Sequence, residues 1–241
     1  GSYLFKYLND NKKILTEKNN SIPLITYVSA KNRNRKRNIN IKKNQWLDNY
    51  LDATKHKNVD LIIELIGGAE GPAKKLVFNA LKNGKHVVTA NKALIAKYGD
   101  TLAKIAEKNN VNLEFEAAVC GGVPIIRTLK EGLIANKISK IYGIFNGTSN
   151  YILSTMDKHN KNFDDVLKNA KKMGYSETNP SADLNGDDVA SKLKILSSLC
   201  FNSFLNNKIY VEGIKDIDKN DIDNANKLGY KIKLLGYSEL I

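Results

Sequence analysis

Cysteine is scarce in this sequence: 241 residues include only Cys120 and Cys200. Neither sits in metal-ligand spacing and both have apolar neighbours, so the expectation is two buried thiols, no disulfide and a cytoplasmic setting. Long hydrophobic runs are missing as well. "LIIELI" at 61–66 falls far short of the roughly 20 apolar residues that cross a bilayer. The first residues carry neither an apolar h-region nor a cleavage site, which predicts a soluble, unexported chain that does not engage a membrane. Internal repeats and low-complexity tracts are also absent. What remains is a globular chain, and 42% hydrophobic content is enough for a core in one large or two ordinary domains.

Charge is present in excess of one sign. Lys and Arg number 38 against 25 Asp and Glu, a formal net charge of +13, and "KNRNRKR" at 31–37 concentrates it. Such an excess attracts nucleic acid and acidic surfaces. Here the basic residues are spread along the whole chain, without interleaved aromatics or a base-reading motif, so a nucleic-acid partner is not expected.

Apolar periodicity alternates between helix and strand. A helical pattern over 2–17 precedes a strand-like "IPLITYVSA" at 22–30, a short helix "NQWLDNYLD" at 44–52 and a second strand at 59–65. The second strand is nearly continuous in apolar residues, as strands buried on both faces are. Helix, strand, helix and strand follow over "PAKKLVFNALKNG", "KHVVTA", "TLAKIAEKNN" and "VNLEFEA". This order predicts a doubly wound, mostly parallel α/β sheet over residues 1–120. From 121 to 241 the pattern changes to a half-exposed strand at 136–146, helices at 148–159, 162–173 and 184–201, a strand near 209–213, a helix near 221–228 and a strand-like "YKIKLLG". A second, α+β domain is expected there.

A dinucleotide-binding sheet usually carries G-x-G-x-x-G between its first strand and first helix. The sequence opens on the helix itself, "GSYLFKYL", with Gly1 where the third glycine would stand. The Rossmann-type domain is therefore read as N-terminally truncated.

The stretch "GYSETNPSADLNGDDVASK" at 174–192 raises a different question. Turn-forming residues explain its Ser, Asn, Pro and Gly. They do not explain the charges: Glu177 in the loop, Asp183 placed to cap the next helix, and Asp188 and Lys192 four apart on one helical face. On its own such a pair is most often a solvated ion pair contributing about 0.3–0.5 kcal/mol.

That stretch, together with "NGTSNYIL" (146–153), "FEAAVCGGVPII" (115–126), "ELIGG" (64–68) and "GKHVVTANKALIA" (84–96), resembles homoserine dehydrogenase. The resemblance covers most of the chain from about residue 59. It implies an NAD(P)-dependent oxidoreductase that interconverts L-homoserine and L-aspartate 4-semialdehyde in threonine, methionine and isoleucine biosynthesis, working as a homo-oligomer, at least a dimer. It further implies that Lys192 transfers the proton and that Lys92 is a second active-site lysine touching coenzyme and substrate. Glu177 and Asp188 would hold the substrate ammonium, while Gly67, Gly68, Asn91, Lys92 and Gly174 would meet the coenzyme. A monovalent cation such as Na+ would bind Glu116 and the carbonyls of Val119, Gly121 and Val123.

Plainer readings stand beside these: a helix-start lysine for Lys92, a tight turn for Gly67 and Gly68, and a helix C-cap for Gly174. Asn179 replaces the aspartate usual in the family's motif, removing a charge. At the end of the strand-like run 22–30, "SAKNRNRKR" offers Ser29, Lys31 and Arg33 without an acid, which favours NADP over NAD. A Rossmann-type dehydrogenase of another amino acid and a non-catalytic remnant remain alternatives.

Overall fold

The computed structural model describes residues 1–21, 23–176, 178–202 and 209–240. The chain divides into two compact units, Gly1–Glu114 and Phe115–Ile241.

In the first unit, helices α1 (Ser2–Asp10) and α2 (Lys12–Asn19) precede β1 (Leu61–Glu64), α3 (Pro72–Lys82), β2 (His86–Thr89), α4 (Lys92–Lys108) and β3 (Leu113–Glu114). The strands form a parallel sheet in the order β1-β2-β3, with Leu61 opposite His86, Glu64 opposite Thr89 and Val87 opposite Leu113. Each crossover runs through a helix, as parallel pairing requires. Helix α3 starts with Pro72 at a position where a missing N–H costs nothing, and buries Ala73, Leu76, Val77, Ala80 and Leu81. Their three- and four-residue spacing makes one apolar stripe, and each fully buried leucine contributes about 1.5–3 kcal/mol.

Three expectations for this unit need correction. Strand β1 is not buried on both faces: Leu61 and Ile63 are 43% and 38% exposed while Ile62 and Glu64 are buried. Of the strand expected at 22–30, the described residues 23–30 show a single parallel bridge between Val28 and Trp46, in which the Val28 amide donates to the Gln45 carbonyl at 2.7 Å and the Leu47 amide to the Val28 carbonyl at 3.0 Å. The helix expected at 44–52 is broken into short 3-10 turns at Lys43–Gln45 and Tyr50–Thr54. Trp46 is the reason for the break. Its backbone is extended to meet Val28, and its ring lies under the guanidinium groups of Arg33 and Arg37 at 5.5 and 5.4 Å.

The second unit contains α5 (Ile125–Arg127), β4 (Lys140–Gly143), α6 (Gly147–His159), α7 (Phe163–Lys172), α8 (Ser181–Asn185), α9 (Asp187–Phe201), α10 (Lys219–Lys227) and β5 (Gly236–Glu239). Strands β4 and β5 pair antiparallel, Lys140 opposite Glu239 and Gly143 opposite Gly236. A core of Ile152, Leu153, Met156, Val166, Leu184, Ile214 and Ile222 ties α6, α7, α8 and α10 together. The helix expected at 184–201 is interrupted by Gly186, whose φ of +87° turns α8 into α9. Residues 209–213 are irregular, and the last strand begins at Gly236, where pairing with β4 is possible, rather than over "YKIKLLG". Among the described residues no helix is long and apolar enough to cross a membrane.

Candidate active site

Helix α9 begins immediately after Gly186 and carries Asp188 in its first turn, where the partial positive charge of the helix N-terminus favours a carboxylate. One turn further on, Lys192 Nζ lies 2.7 Å from Asp188 Oδ2 and donates to the Phe145 carbonyl at 2.6 Å. The two side chains are 17% and 8% exposed, so this is not the solvated surface pair that such spacing usually produces. Two of the three ammonium hydrogens are committed to these partners, leaving one for a ligand.

Asn146 completes the cluster. It caps α6, its Oδ1 accepting from the Ser149 amide at 2.8 Å and the Ser149 hydroxyl at 2.9 Å. Its amide nitrogen donates to Asp183 Oδ1 at 2.7 Å and to Asp188 Oδ2 at 2.9 Å. Asn146 thus bridges two carboxylates that would otherwise repel. Asp183 is not a helix cap: it lies inside α8, whose cap position is Pro180, and points its carboxylate at Asn146. Neither role was visible in spacing, because Asn146 is 37 residues from Asp183; the one available signal was its place before a helical "GTSN" run.

Around this cluster, Thr148 donates its hydroxyl to the Tyr175 carbonyl at 2.8 Å, joining the start of α6 to the segment that opens with Gly174. Gly174 has φ +76° and follows the end of α7, with its amide bonded to the Lys171 carbonyl and the Tyr175 amide to the Ala170 carbonyl, so it closes that helix. Glu177 lies outside the described residues. The Oδ1 of Asn179 accepts from the Ser181 amide and hydroxyl at 3.3 and 2.7 Å, work that an aspartate oxygen at this position would do equally.

The loop at 116–123 reaches the same cluster. Cys120 and Cys200 are both free thiols and only partly buried, less enclosed than their apolar sequence neighbours predict. Burial still pushes the Cys120 thiol up, Lys192 draws it down and Asp188 raises it, which places the residue within electrostatic reach of the pair. Glu116 turns its two oxygens to the amides of Ile126 and Arg127 at 3.0 and 2.8 Å, and the Val123 carbonyl accepts from Ile125 at 2.8 Å. Each of these oxygens keeps a lone pair. Among the described residues no three His, Cys, Asp or Glu side chains gather to hold a metal.

The first unit supplies a second group of residues. Gly67 and Gly68 follow β1 with φ +88° and +82°, and a Cβ built on Gly67 would meet nothing within 4 Å. The backbone at that point therefore faces open space at the carboxyl edge of a parallel sheet, where such sheets bind ligands. Asn91 caps α4 by accepting from the Leu94 amide at 3.1 Å and donates to the Gly68 carbonyl at 2.8 Å. Lys92, half-buried, opens α4 at the same edge. Fully buried beneath them is Glu64, a residue the sequence reading passed over.

Comparison with known proteins decides the family. The profile described as "Homoserine dehydrogenase, NAD binding domain" matches residues 2–116, and that described as "Homoserine dehydrogenase" matches residues 124–240. The chain belongs to the homoserine dehydrogenase family. It is 52% identical over 181 residues to homoserine dehydrogenase of Neisseria gonorrhoeae (75% of this chain, 41% of that one) and 38% identical over 240 residues to that of Bacillus subtilis (99% and 55%). It therefore spans about half the length of the curated relatives it matches. Among solved structures, homoserine dehydrogenase of S. aureus superposes with a TM-score of 0.84 at 36% identity, over 99% of this chain and 58% of that one. A hyperthermophilic archaeal homoserine dehydrogenase in complex with NADPH superposes with a TM-score of 0.64 at 31% identity, over 70% and 52%. The Rossmann-type parallel sheet followed by a second domain, expected from the alternation of helix and strand, is thus the homoserine dehydrogenase arrangement.

Proposed function

We propose that the full-length protein is an NAD(P)-dependent homoserine dehydrogenase acting on L-homoserine and L-aspartate 4-semialdehyde. The observation that carries this reading is the buried Lys192–Asp188 pair beside Asn146, inside a chain whose two halves match the family's two profiles. The nicotinamide, when bound, supplies or accepts the hydride. Lys192, as the neutral amine, takes the proton from the C4 hydroxyl during oxidation and, as the ammonium, returns it during reduction. Its contacts with Asp188 and the Phe145 carbonyl hold Nζ in one place, which is what proton transfer to a positioned group requires. Asp188 and Glu177 receive the substrate ammonium, whose three donors match acceptor-only oxygens. Lys92, Asn91, Gly67 and Gly68 serve the coenzyme from the sheet edge, and Gly174 from the end of α7. A monovalent cation binds through Glu116, Val119, Gly121 and Val123.

NADP is the preferred coenzyme in this reading, supported by the basic loop that Trp46 organises under Arg33 and Arg37. The enzyme is a cytoplasmic homodimer of amino-acid biosynthesis. Support for self-association comes from β4 and β5, where Tyr142 and Tyr237 are 67% and 54% exposed side by side. An exposed aromatic pair of this kind suits burial against a second copy.

The test is steady-state coenzyme reduction by the full-length protein with L-homoserine. Turnover with NADP is expected. A folded protein that turns over neither NADP nor NAD with homoserine would overturn the substrate assignment.

A further inference from the structure

Glu64 is a fully buried carboxylate at the end of β1, and the proton-transfer chemistry makes no use of it. Its Oε1 accepts from the Ile66 amide at 2.6 Å and the Gly67 amide at 2.9 Å, and its Oε2 accepts from the Thr89 hydroxyl. The Thr89 oxygen in turn accepts from the Asn91 amide at 2.9 Å, and the Asn91 side chain reaches back to the Gly68 carbonyl at 2.8 Å. These bonds close a ring from Glu64 through Thr89 and Asn91 to Gly68, and through Gly67 to Glu64 again.

A buried carboxylate is costly for the fold, and an apolar residue in its place would be cheaper unless the charge has a task. Among the described residues, Glu64 is offered amides and a hydroxyl and no cation. All of those donors belong to the segments that form the carboxyl edge of β1 and β2. Gly67 and Gly68 have left-handed backbones that would otherwise sample many conformations. The ring fixes this turn from both sides, at the Gly67 amide and at the Gly68 carbonyl. It also fixes the start of α4, and with it the backbone of Lys92.

We propose that Glu64, acting through Thr89 and Asn91, is a positioning residue for the coenzyme: it pre-sets the Gly67–Gly68 turn and the α4 start as one rigid ledge. This rests on the reading of that edge as the coenzyme site. The role is to lower the ordering cost of binding, so it acts on coenzyme affinity ahead of the chemical step.

The experiment compares Glu64→Gln, Thr89→Val and Thr89→Ser in the full-length protein, with NADPH affinity read by fluorescence and kcat and KM read separately. Glu64→Gln keeps the shape but puts an NH2 group against a hydroxyl that needs an acceptor. It is expected to weaken NADPH binding about tenfold, the scale of one charge-assisted hydrogen bond, while kcat falls much less. Thr89→Val is expected to do the same, and Thr89→Ser, which keeps the hydroxyl, to stay far closer to wild type. If Glu64→Gln does not accumulate as folded protein, the Thr89 pair carries the test alone.

NADPH affinity within twofold of wild type in folded Glu64→Gln or Thr89→Val would overturn the proposal. So would a loss of coenzyme affinity matched by an equal rise in KM for homoserine, the mark of general loosening. A wild type that binds NADPH but does not oxidise homoserine would sink the substrate reading and leave this inference standing.

Discussion

Lys192 and Asp188, one turn apart on α9, meet at 2.7 Å in a site where the aspartate is also bonded to Asn146 and the lysine to the Phe145 carbonyl. A pair so enclosed behaves differently from a surface pair when one partner is removed. Asp188→Ala leaves an ammonium largely out of water, and breaking such a pair costs about 3–5 kcal/mol. Urea unfolding should show a loss in that range. A loss below about 1 kcal/mol, as found for exposed pairs, would mean that the pair is solvated.

Gly236 of β5 is set against the ring of Phe145. A Cβ at this position would approach Cδ2 and Cε2 of that ring to 2.6 Å and Val189 Cγ1 to 3.2 Å. Gly236→Ala must therefore displace Phe145, whose carbonyl holds Lys192. Overpacking of this kind costs about 1–3 kcal/mol. The expected outcome is a lowered Tm together with a lowered kcat, whereas a lowered Tm with unchanged kcat would separate the ring from the lysine.

Glu70, between Gly68 and α3, receives Lys97, Tyr98 and Lys74. The Lys97 hydrogen bond, then those of Tyr98 and Lys74, hold its carboxyl down at about 2. Its pKa is lower in the folded chain than in the unfolded one, so its contribution is fully present above the ordinary carboxylate range and is lost as pH falls through about 2. NMR titration of the Glu70 carboxyl should give a midpoint near 2, and Lys97→Ala should move it upward. A midpoint that ignores Lys97→Ala would assign the shift to other groups.

Legibility in the sequence followed the range of the interactions. The pairing of Asp188 with Lys192 was readable because a helix places residues four apart together, and the parallel sheet was readable from helices alternating with apolar strands. Burial of the pair was not, since Asn146 and Phe145 reach it from more than 40 residues away. Glu64 was hidden inside "LIIELI", where the apolar run suggested a strand and nothing marked the carboxylate's partner 25 residues on. The strand expected over 22–30 and the helix over 44–52 failed together. Each was read from local pattern, and a long-range contact between Val28 and Trp46 reshaped both. "YKIKLLG" has the composition of a strand, yet register with β4 decides where pairing starts.

Proton transfer by Lys192, as proposed, is tested most directly by Lys192→Ala in the full-length protein. Steady-state kinetics with L-homoserine should show kcat reduced by about 10²-fold or more, the usual contribution of a positioned acid or base, while NADPH affinity measured by fluorescence stays close to wild type. A Lys192→Ala protein that is folded, binds NADPH normally and keeps near-normal kcat would contradict the account and pass the proton to Lys92 or to bound water.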